Sequence, residues 1–412
     1  MDKYTFHVIG NSHLPISKHY QSCAFTIKHY RMCEMLMSLG HTVYTYGAKS
    51  NISQPPPCTE FIETHTVQDI ARDFGCGDNR EEIGYQWEKT NFIHDYSNPR
   101  KPVTLKFYDN ASREINKRKQ DNHFLLCMQG SYHTPIADAV GLFLTCEPGI
   151  GYRGAVEKRF KAFESSYIQN FSYASWHPYE CINGSYYDRI IPGYADSADI
   201  SFKEKKGDYY LYLARIIKRK GILTAYLATK AIGAKLIIAG QGGCIDNRGY
   251  LRDEYPQEFE IPPDSNWEYI GYQDLEKRKE VMANAIALFS PTEYLECFAN
   301  SHVEAMLSGT TVITTSFGVY PGTIPDYLDG MHHLNKNKLS EVVGFKCNTL
   351  QDFVDAAKLA KQTSPEFIRK YGERFLMDNV KYEYQKWFDD LMNVYESAID
   401  NTQKGWHRIL GR

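Results

Sequence analysis

Short apolar runs that end at glycine or at a polar loop recur along this chain. Most are followed by a stretch whose apolar positions fall three and four apart. Tyr4 to Ile9 is the first such run, closed by Gly10-Asn11. After a polar loop through Pro15, Ser22 to Leu39 places Ile27, Tyr30, Cys33 and Met37 at helical spacing. Gly40 stops that helix, and His41 to Tyr46 reads as a second strand. A strand, a loop, a helix and a strand in this order open a nucleotide-binding type of α/β domain. Between 50 and 122 the periodicity weakens. Pro55-Pro56-Pro57 is a stiff connector, residues 75–79 a turn, and Lys117-Arg118-Lys119 a solvated helix end. His123 to Met128 is a buried strand opening into the polar loop Gln129 to Pro135. Leu142 to Cys146 is another, followed by the glycine-rich loop Glu147 to Gly154. Tyr173 to Trp176 and Arg189 to Ile191 are the last short strands expected of this half.

Pro192 to Gly207 turns polar and charged, as a linker does. The pattern then restarts. Tyr209 to Ala214, Lys235 to Ala239, Trp267 to Ile270 and Ala285 to Phe289 read as strands, and Gly221 to Ala231 and Leu275 to Ala283 as helices. Phe353 to Lys361, Pro365 to Leu376 and Lys381 to Ile399 are helical. The pattern predicts two doubly wound, Rossmann-like α/β domains, 1–195 and 196–380, with a last helix, 381–412, returning to the first domain.

The stretch Pro291 to Gly330 holds the densest chemistry. Glu296 and Glu304 stand seven residues apart across a junction of loop and helix, followed by Val312-Ile313 and a glycine-bearing loop. Two acids there suit a ligand with several hydroxyls, and the helix start suits an anion. A plainer reading is a capping box, with Ser301 as the cap and Glu304 closing the first turn. Arg215 and Lys220 flank the turn after the strand at 209. Two cations at such a place can clamp a diphosphate and stabilise the charge it gains on leaving. Lys218-Arg219-Lys220 as a solvated basic run is the alternative. His133 follows a buried strand; a histidine so placed is more often packed than catalytic. Asp109, Glu147 and His177 are weaker candidates.

Composition narrows the field. At 412 residues, two cores are expected. A 42% hydrophobic and 24% charged make-up is that of a globular protein, and a net charge of −3 gives no field for nucleic acid or an anionic membrane. The ten cysteines form no C-x-x-C pair, which points to reduced thiols in a cytoplasmic setting, not to a zinc site. Met1 to Gly10 lacks a basic start and a long apolar core, so no signal peptide is expected. No apolar stretch is long enough to span a bilayer. The G-x-G-x-x-G fingerprint is missing after the first strand, which argues against a nicotinamide-dependent dehydrogenase.

The second half resembles the retaining glycosyltransferases of family 4, which have the GT-B fold. The resemblance rests on Y-L-A-R-I-I-K-R-K-G ending at Gly221, L-I-I-A-G-Q-G (236 to 242), Y-I-G-Y (269 to 272), E-C-F-A-N-S-H-V-E-A-M from Glu296, S-F-G (316 to 318) and Asp329-Gly330. In the first half only L-G-H-T-V (39 to 43) and P-G-Y-A-D (192 to 196) fit. The resemblance implies two domains facing across a cleft and transfer of a hexose from a nucleotide sugar to a hydroxyl acceptor, a glycan. GDP-mannose is the first donor to consider, then UDP-glucose and UDP-N-acetylglucosamine. By motif match, Arg215 and Lys220 hold the diphosphate, Glu304 the ribose, and Glu296 the transferred sugar, with amides of Cys297, Phe298 and Ala299. Gly271 and Tyr272 lie by the base, Gly240 and Gly10 line the nucleotide sugar, and His133 matches the histidine over the sugar. No metal or other cofactor is expected, and neither nucleic acid nor a membrane span is expected as a partner. The alternatives are a nucleotide-sugar epimerase or hydrolase on the same fold, or a binding module without turnover. Three departures stand out. The glycine pair before the first helix is replaced near Cys23-Ala24, which shifts attention to Gly10 to Ser17. The family's E-G-F-G is E-C-F-A here. The acid usual after the S-F-G loop is absent around Tyr320 to Gly322.

Overall fold

In the computed structural model the described residues are 2–18, 20, 23–50, 54–74, 98–152, 154, 160–253 and 258–399. The turn expected at 75–79 and the end of the last expected helix, 400–412, lie outside them. The described residues up to Pro192, with Val380–Ile399, form one compact unit; Gly193–Asn379 form a second.

The first unit is built on strands β1 (Thr5–Ile9), β2 (Thr42–Gly47), β3 (Glu60–Glu63), β4 (Phe124–Cys127), β5 (Thr145–Ile150), β6 (Phe160–Phe163) and β7 (Arg189–Ile190). They form one parallel sheet in the order β3-β2-β1-β4-β5-β6-β7. Helices α1 (Ala24–Ser38), α2 (Val67–Phe74), α3 (Pro102–Arg118), α4 (Thr134–Val140) and α5 (Ser166–Trp176) connect them. The order reverses between β1 and β4, so the loops leaving these two strands flank the crevice of a doubly wound sheet.

Several expectations are corrected here. Residues 173–176 are the end of helix α5, not a strand. Its Ser165 cap accepts from Ile168 N, and the apolar Ile168 and Tyr173 face inward. The glycine-rich stretch from Glu147 begins as strand: β5 runs through Pro148 and Gly149 to Ile150, with its register to β6 shifting between Glu147 and Ile150. A proline and a glycine are tolerated there because the ladder is irregular. Helix α3, which had no clear periodicity, buries Val103, Phe107, Ala111 and Ile115 on one face.

The second unit has strands β8 (Tyr209–Leu213) and β9 (Lys235–Ala239), a small antiparallel sheet of β10 (Gly243–Ile245), β11 (Leu251–Asp253) and β12 (Glu260–Ile261), then β13 (Trp267–Gly271), β14 (Ala287–Ser290), β15 (Thr311–Thr315) and β16 (Gly344–Cys347). The main sheet is parallel, in the order β13-β9-β8-β14-β15-β16. Its helices are α6 (Ile222–Ala231), α7 (Leu275–Asn284), α8 (Asn300–Leu307), the short α9 (Tyr320–Thr323), α10 (Leu350–Ala360) and α11 (Pro365–Gly372). Side chains alternate across a strand, so each strand feeds two cores. Tyr210, Tyr212, Ile238 and Phe289 pack with α6 and α10; Leu211, Ile237, Leu288 and Val312 pack with α8 and α11. A sheet covered on both faces explains why these strands read as unbroken apolar runs.

The last helix, α12 (Met377–Ile399), belongs from Val380 onward to the first unit. Phe388 packs edge-on against Phe6 and Phe124, Tyr4 Oη donates to Asp389 at 2.7 Å, and Arg189 pairs with Asp390 at 2.8 Å.

Candidate functional site

In the second unit the strand order turns round at β8, with β9 on one side and β14 on the other. Helices α6 and α8, which follow β8 and β14, pack on opposite faces. The loops leaving the two strands therefore meet at the switch point, where open α/β sheets take their ligands. They are bound tightly together. The carbonyl of Arg219 accepts from Glu293 N at 2.9 Å, Tyr294 N at 3.0 Å and Thr292 Oγ1 at 3.1 Å. Gly221 has a φ of +78°, and a Cβ on it would fall 1.8 Å from the Pro291 carbonyl oxygen. Only glycine allows both the left-handed turn and this approach.

The charged groups converge on this junction. Lys220 and Glu296 form an ion pair and are both largely shielded from solvent. The Tyr294 ring gathers three cations: Lys220 Nζ lies 4.4 Å from its centroid, Arg219 4.9 Å and Arg215 5.7 Å. Burial, then Arg215 and Arg219, pull the Lys220 ammonium down to about 7; Cys297 opposes this, as does the Glu296 carboxylate in contact with it. A cluster of cations held close against their mutual repulsion is suited to a multiply charged anion.

The segment after Glu296 turns its side chains inward. Cys297 and Phe298 are buried, and Phe298 packs edge-on to Phe375. Ala299 takes the left-handed conformation (φ +67°) and caps α8 without a side-chain hydrogen bond. The first amides of α8 have no preceding turn to bond, so they are the groups this segment can offer a ligand. The capping-box reading of Glu304 is overturned. The helix starts at Asn300, and Glu304 Oε2 instead accepts from the guanidinium of Arg278 on α7, with Nε at 2.9 Å.

Gly240 follows β9 and Gly271 ends β13 on the same sheet edge. Gly240 N donates to Gly271 O at 2.9 Å, and a Cβ on Gly240 would lie 1.8 Å from the Ala214 carbonyl oxygen. Gly240 thus sets the spacing of the β8 and β9 loops. Beyond a Cβ on Gly271 the space is open, and Tyr272 beside it is half-buried.

Gly10 and His133 belong to the first unit and bond to each other. Gly10 donates to Tyr46 O at 2.8 Å, and a Cβ on it would meet that oxygen at 2.4 Å. His133 is fully buried. Its Nδ1 accepts from Gln129 N at 3.3 Å and its Nε2 donates to Gly10 O at 2.7 Å. Burial lowers its pKa to about 3. The ring ties the loop after β1 to the loop after β4, with both nitrogens committed. Among the weaker candidates, Asp109 is exposed on α3, Glu147 is buried under the Tyr152 hydroxyl at 2.6 Å, and His177 pairs with Glu180 at 2.6 Å.

Three contributors escaped the sequence reading, Tyr294, Arg278 and His302, and Arg219 entered it only as part of a solvated basic run. His302 is fully buried on α8 and stacks on Tyr320 at 4.8 Å, and neither ring nitrogen has a hydrogen-bond partner among the described residues. Burial, then Lys220, lowers its pKa to about 3. Tyr320 opens the short helix α9, so the stack ties α8 to that segment. Among the described residues no group of three or more His, Cys, Asp or Glu is placed to hold a metal ion, and no helix is long and apolar enough to cross a membrane.

Residues 195–340 match the family model described as glycosyl transferases group 1. No curated protein sequence matches the chain significantly. Solved structures share the whole architecture. A glycosyltransferase of avilamycin A biosynthesis is 17% identical (TM-score 0.56), with 95% of this chain and 98% of that chain covered. Sucrose-phosphate synthase from Thermosynechococcus elongatus is 14% identical (TM-score 0.60; 95% and 100% covered). An Anabaena protein, HepE, solved with UDP and glucose, is 8% identical (TM-score 0.54; 94% and 100% covered). The fold is thus the GT-B type, two Rossmann-like parallel-sheet units.

Proposed function

We propose that the protein is a retaining glycosyltransferase of family 4 that moves a hexose from a nucleotide sugar to a hydroxyl of a glycan. The observation that carries this reading is the junction of the β8 and β14 loops, which sets Arg215, Lys220 and Glu296 together around Tyr294. The match of residues 195–340 to the group 1 model supports it. In this reading Arg215 and Lys220 meet the diphosphate and stabilise its growing charge. Glu296 takes hydroxyls of the sugar, amides at the start of α8 take its anionic neighbour, and Glu304, held by Arg278, takes the ribose. Gly271 and Tyr272 border the base. The acceptor oxygen attacks the anomeric carbon from the face the diphosphate leaves. The new C–O bond forms as the old one breaks, and the acceptor proton passes to the departing phosphate oxygen. His133 acts through the frame it fastens. With the charge met by side chains, no metal is required for turnover, and the setting is cytoplasmic.

GDP-mannose is the first donor proposed, and UDP-glucose and UDP-N-acetylglucosamine the next. Calorimetric titration with all three tests the reading. Binding of one, followed by transfer to a hydroxyl acceptor with the anomeric configuration kept, is the expected result. No heat with any of them overturns the enzyme reading. Release of free sugar or an epimer without acceptor favours the hydrolase or epimerase instead, and binding without turnover the non-catalytic module.

A further inference from the structure

The first unit carries an open cavity at the edge of its sheet opposite the Gly10 and His133 loops. All seven strands run parallel, so Gly10 and the loop of His133 follow their C-terminal ends. Lys161, by contrast, is the second residue of β6; Trp176 ends α5; and residues 182–186 precede β7. These positions share the N-terminal edge. There they line an open cavity of about 650 Å³, within the range of small-molecule sites.

Its floor is polar and its rim aromatic. Lys161 is 4% exposed, with Nζ 3.7 Å from Asp188 Oδ1 and 5.7 Å from the Tyr173 ring centroid. Asp188 Oδ2 accepts from the Tyr173 hydroxyl at 2.6 Å and from Ser185 N at 3.0 Å, whereas Oδ1 has no hydrogen-bond partner among the described residues. Trp176 stands nearly perpendicular to Tyr173 with centroids 5.2 Å apart. Above them Tyr186 is 50% exposed, beside the exposed Asn183. The loop is held by Trp387 Nε1, which donates to Tyr187 O at 2.9 Å. It is also strained: Cys181 and Tyr187 are two of the three described non-glycine residues with positive φ. Strained backbone of this kind persists only where surrounding contacts enforce it, and it gathers at binding sites.

We infer that this cavity is a saccharide-binding site, separate from the one at the β8 and β14 loops, and that it takes a neutral oligosaccharide. Aromatic rings cover the C–H faces of a sugar while its hydroxyls replace water on exposed amide and hydroxyl groups. An acyl chain or apolar side chain over the same rim would strip water from the exposed Asn183 and Ser185 and return no hydrogen bond. One cation beside one carboxylate gives no preference for a multiply charged ligand. The site does not depend on the chemistry at Lys220. It holds sugar without transferring it, and a remote segment of a longer glycan seated here raises the local concentration of that glycan.

Maltotetraose, mannotetraose and chitotetraose are the probes, with binding read by calorimetry and by saturation-transfer NMR on the whole protein. At least one binds, and the double variant Tyr186→Ala with Asn183→Ala weakens it tenfold or more while its melting temperature stays that of the parent. Both changes are on exposed rim positions, so folding is preserved. Lys220→Ala binds the same probe as the parent does. Three results overturn the proposal: none of the probes binds, the rim variant binds as tightly as the parent, or Lys220→Ala abolishes binding and so moves the sugar to the other site. Adsorption to phosphatidylcholine vesicles that the rim variant loses, with no oligosaccharide bound, assigns the rim to a lipid surface and also overturns it.

Discussion

Lys220 is pulled in two directions. Burial and the guanidiniums of Arg215 and Arg219 favour the neutral amine, and the Glu296 carboxylate favours the ammonium. Burial, first, and the two guanidiniums lower the Lys220 pKa from its ordinary value, so the charged form needed to meet a diphosphate is lost as pH rises. The expected kcat/KM, which reports the free enzyme, therefore falls above about pH 7. A bound diphosphate adds negative charge, so the corresponding limb in kcat lies at higher pH. Lys220→Arg removes the limb because a guanidinium stays protonated. Glu296→Gln moves it to lower pH by withdrawing the supporting charge. Steady-state rates between about pH 6 and 9 decide it; a flat kcat/KM profile removes the Lys220 ammonium from the rate. The cations and Glu296 were legible because each follows a strand end at a fixed offset. Tyr294 was not, because its role exists only once a loop some seventy residues from Arg219 folds onto it. Arg278 was hidden for the same reason: the sequence around Glu304 offers Ser301 as a partner, and the helix begins too early for that bond to form.

At the scale of elements, the second unit was the easier to read. A parallel strand buried on both faces is a short apolar run, and the chain must leave it by a loop, often through glycine. Helix α5 and strand β5 were misread because their local signals conflict with their context. Aromatic-rich Tyr173 to Trp176 has strand-like composition, and β5 carries Pro148-Gly149 at an irregular ladder. The start of α8 also leads to a prediction. Ala299 holds a left-handed conformation that L-residues adopt at a cost of about 1–2 kcal/mol. Ala299→Gly relieves that strain but adds freedom to the unfolded chain, about 0.4–1 kcal/mol. The expected net gain is about 0.5–1 kcal/mol in urea unfolding, with donor binding retained. A lower midpoint for this variant would show that the alanine methyl contributes more by packing than it loses by strain.

Across the whole molecule, buried histidines are distributed very unequally. His7, His13, His29, His41, His65 and His133 all lie in the first unit, and burial, first among the causes in each case, lowers their pKa values to about 3 or 4. Among the described histidines of the second unit only His302 is shifted to that degree. The native state keeps these rings neutral, while an unfolded chain protonates them near the ordinary 6.5. Between about 6.5 and 3 the unfolded state therefore binds more protons, and stability falls as pH falls. The contribution is complete above about 6.5 and lost progressively below it. Lys220 and Lys206, both lowered to about 7 in the second unit, remain charged in native and unfolded chains over most of this acid range, so they add little slope there. Asp69, depressed to about 2, loses its contribution only below the ordinary carboxylate value. The first unit should accordingly open before the second on mild acidification. Hydrogen exchange read by mass spectrometry at pH 7 and pH 5 separates the two. Faster exchange in β1, β2 and β4 with β8, β14 and β15 unchanged, after correction for the intrinsic pH dependence, is the expected result. Equal acceleration in both sheets would mean that the histidines do not set acid stability. His7 gives the sharper form of the test, because its ring bonds Tyr46 Oη at 2.8 Å and His123 Nδ1 at 3.0 Å within one buried cluster. His7→Gln keeps hydrogen-bonding capacity without a titrating group, so it should flatten the acid slope by one histidine's share even if it lowers stability at pH 7.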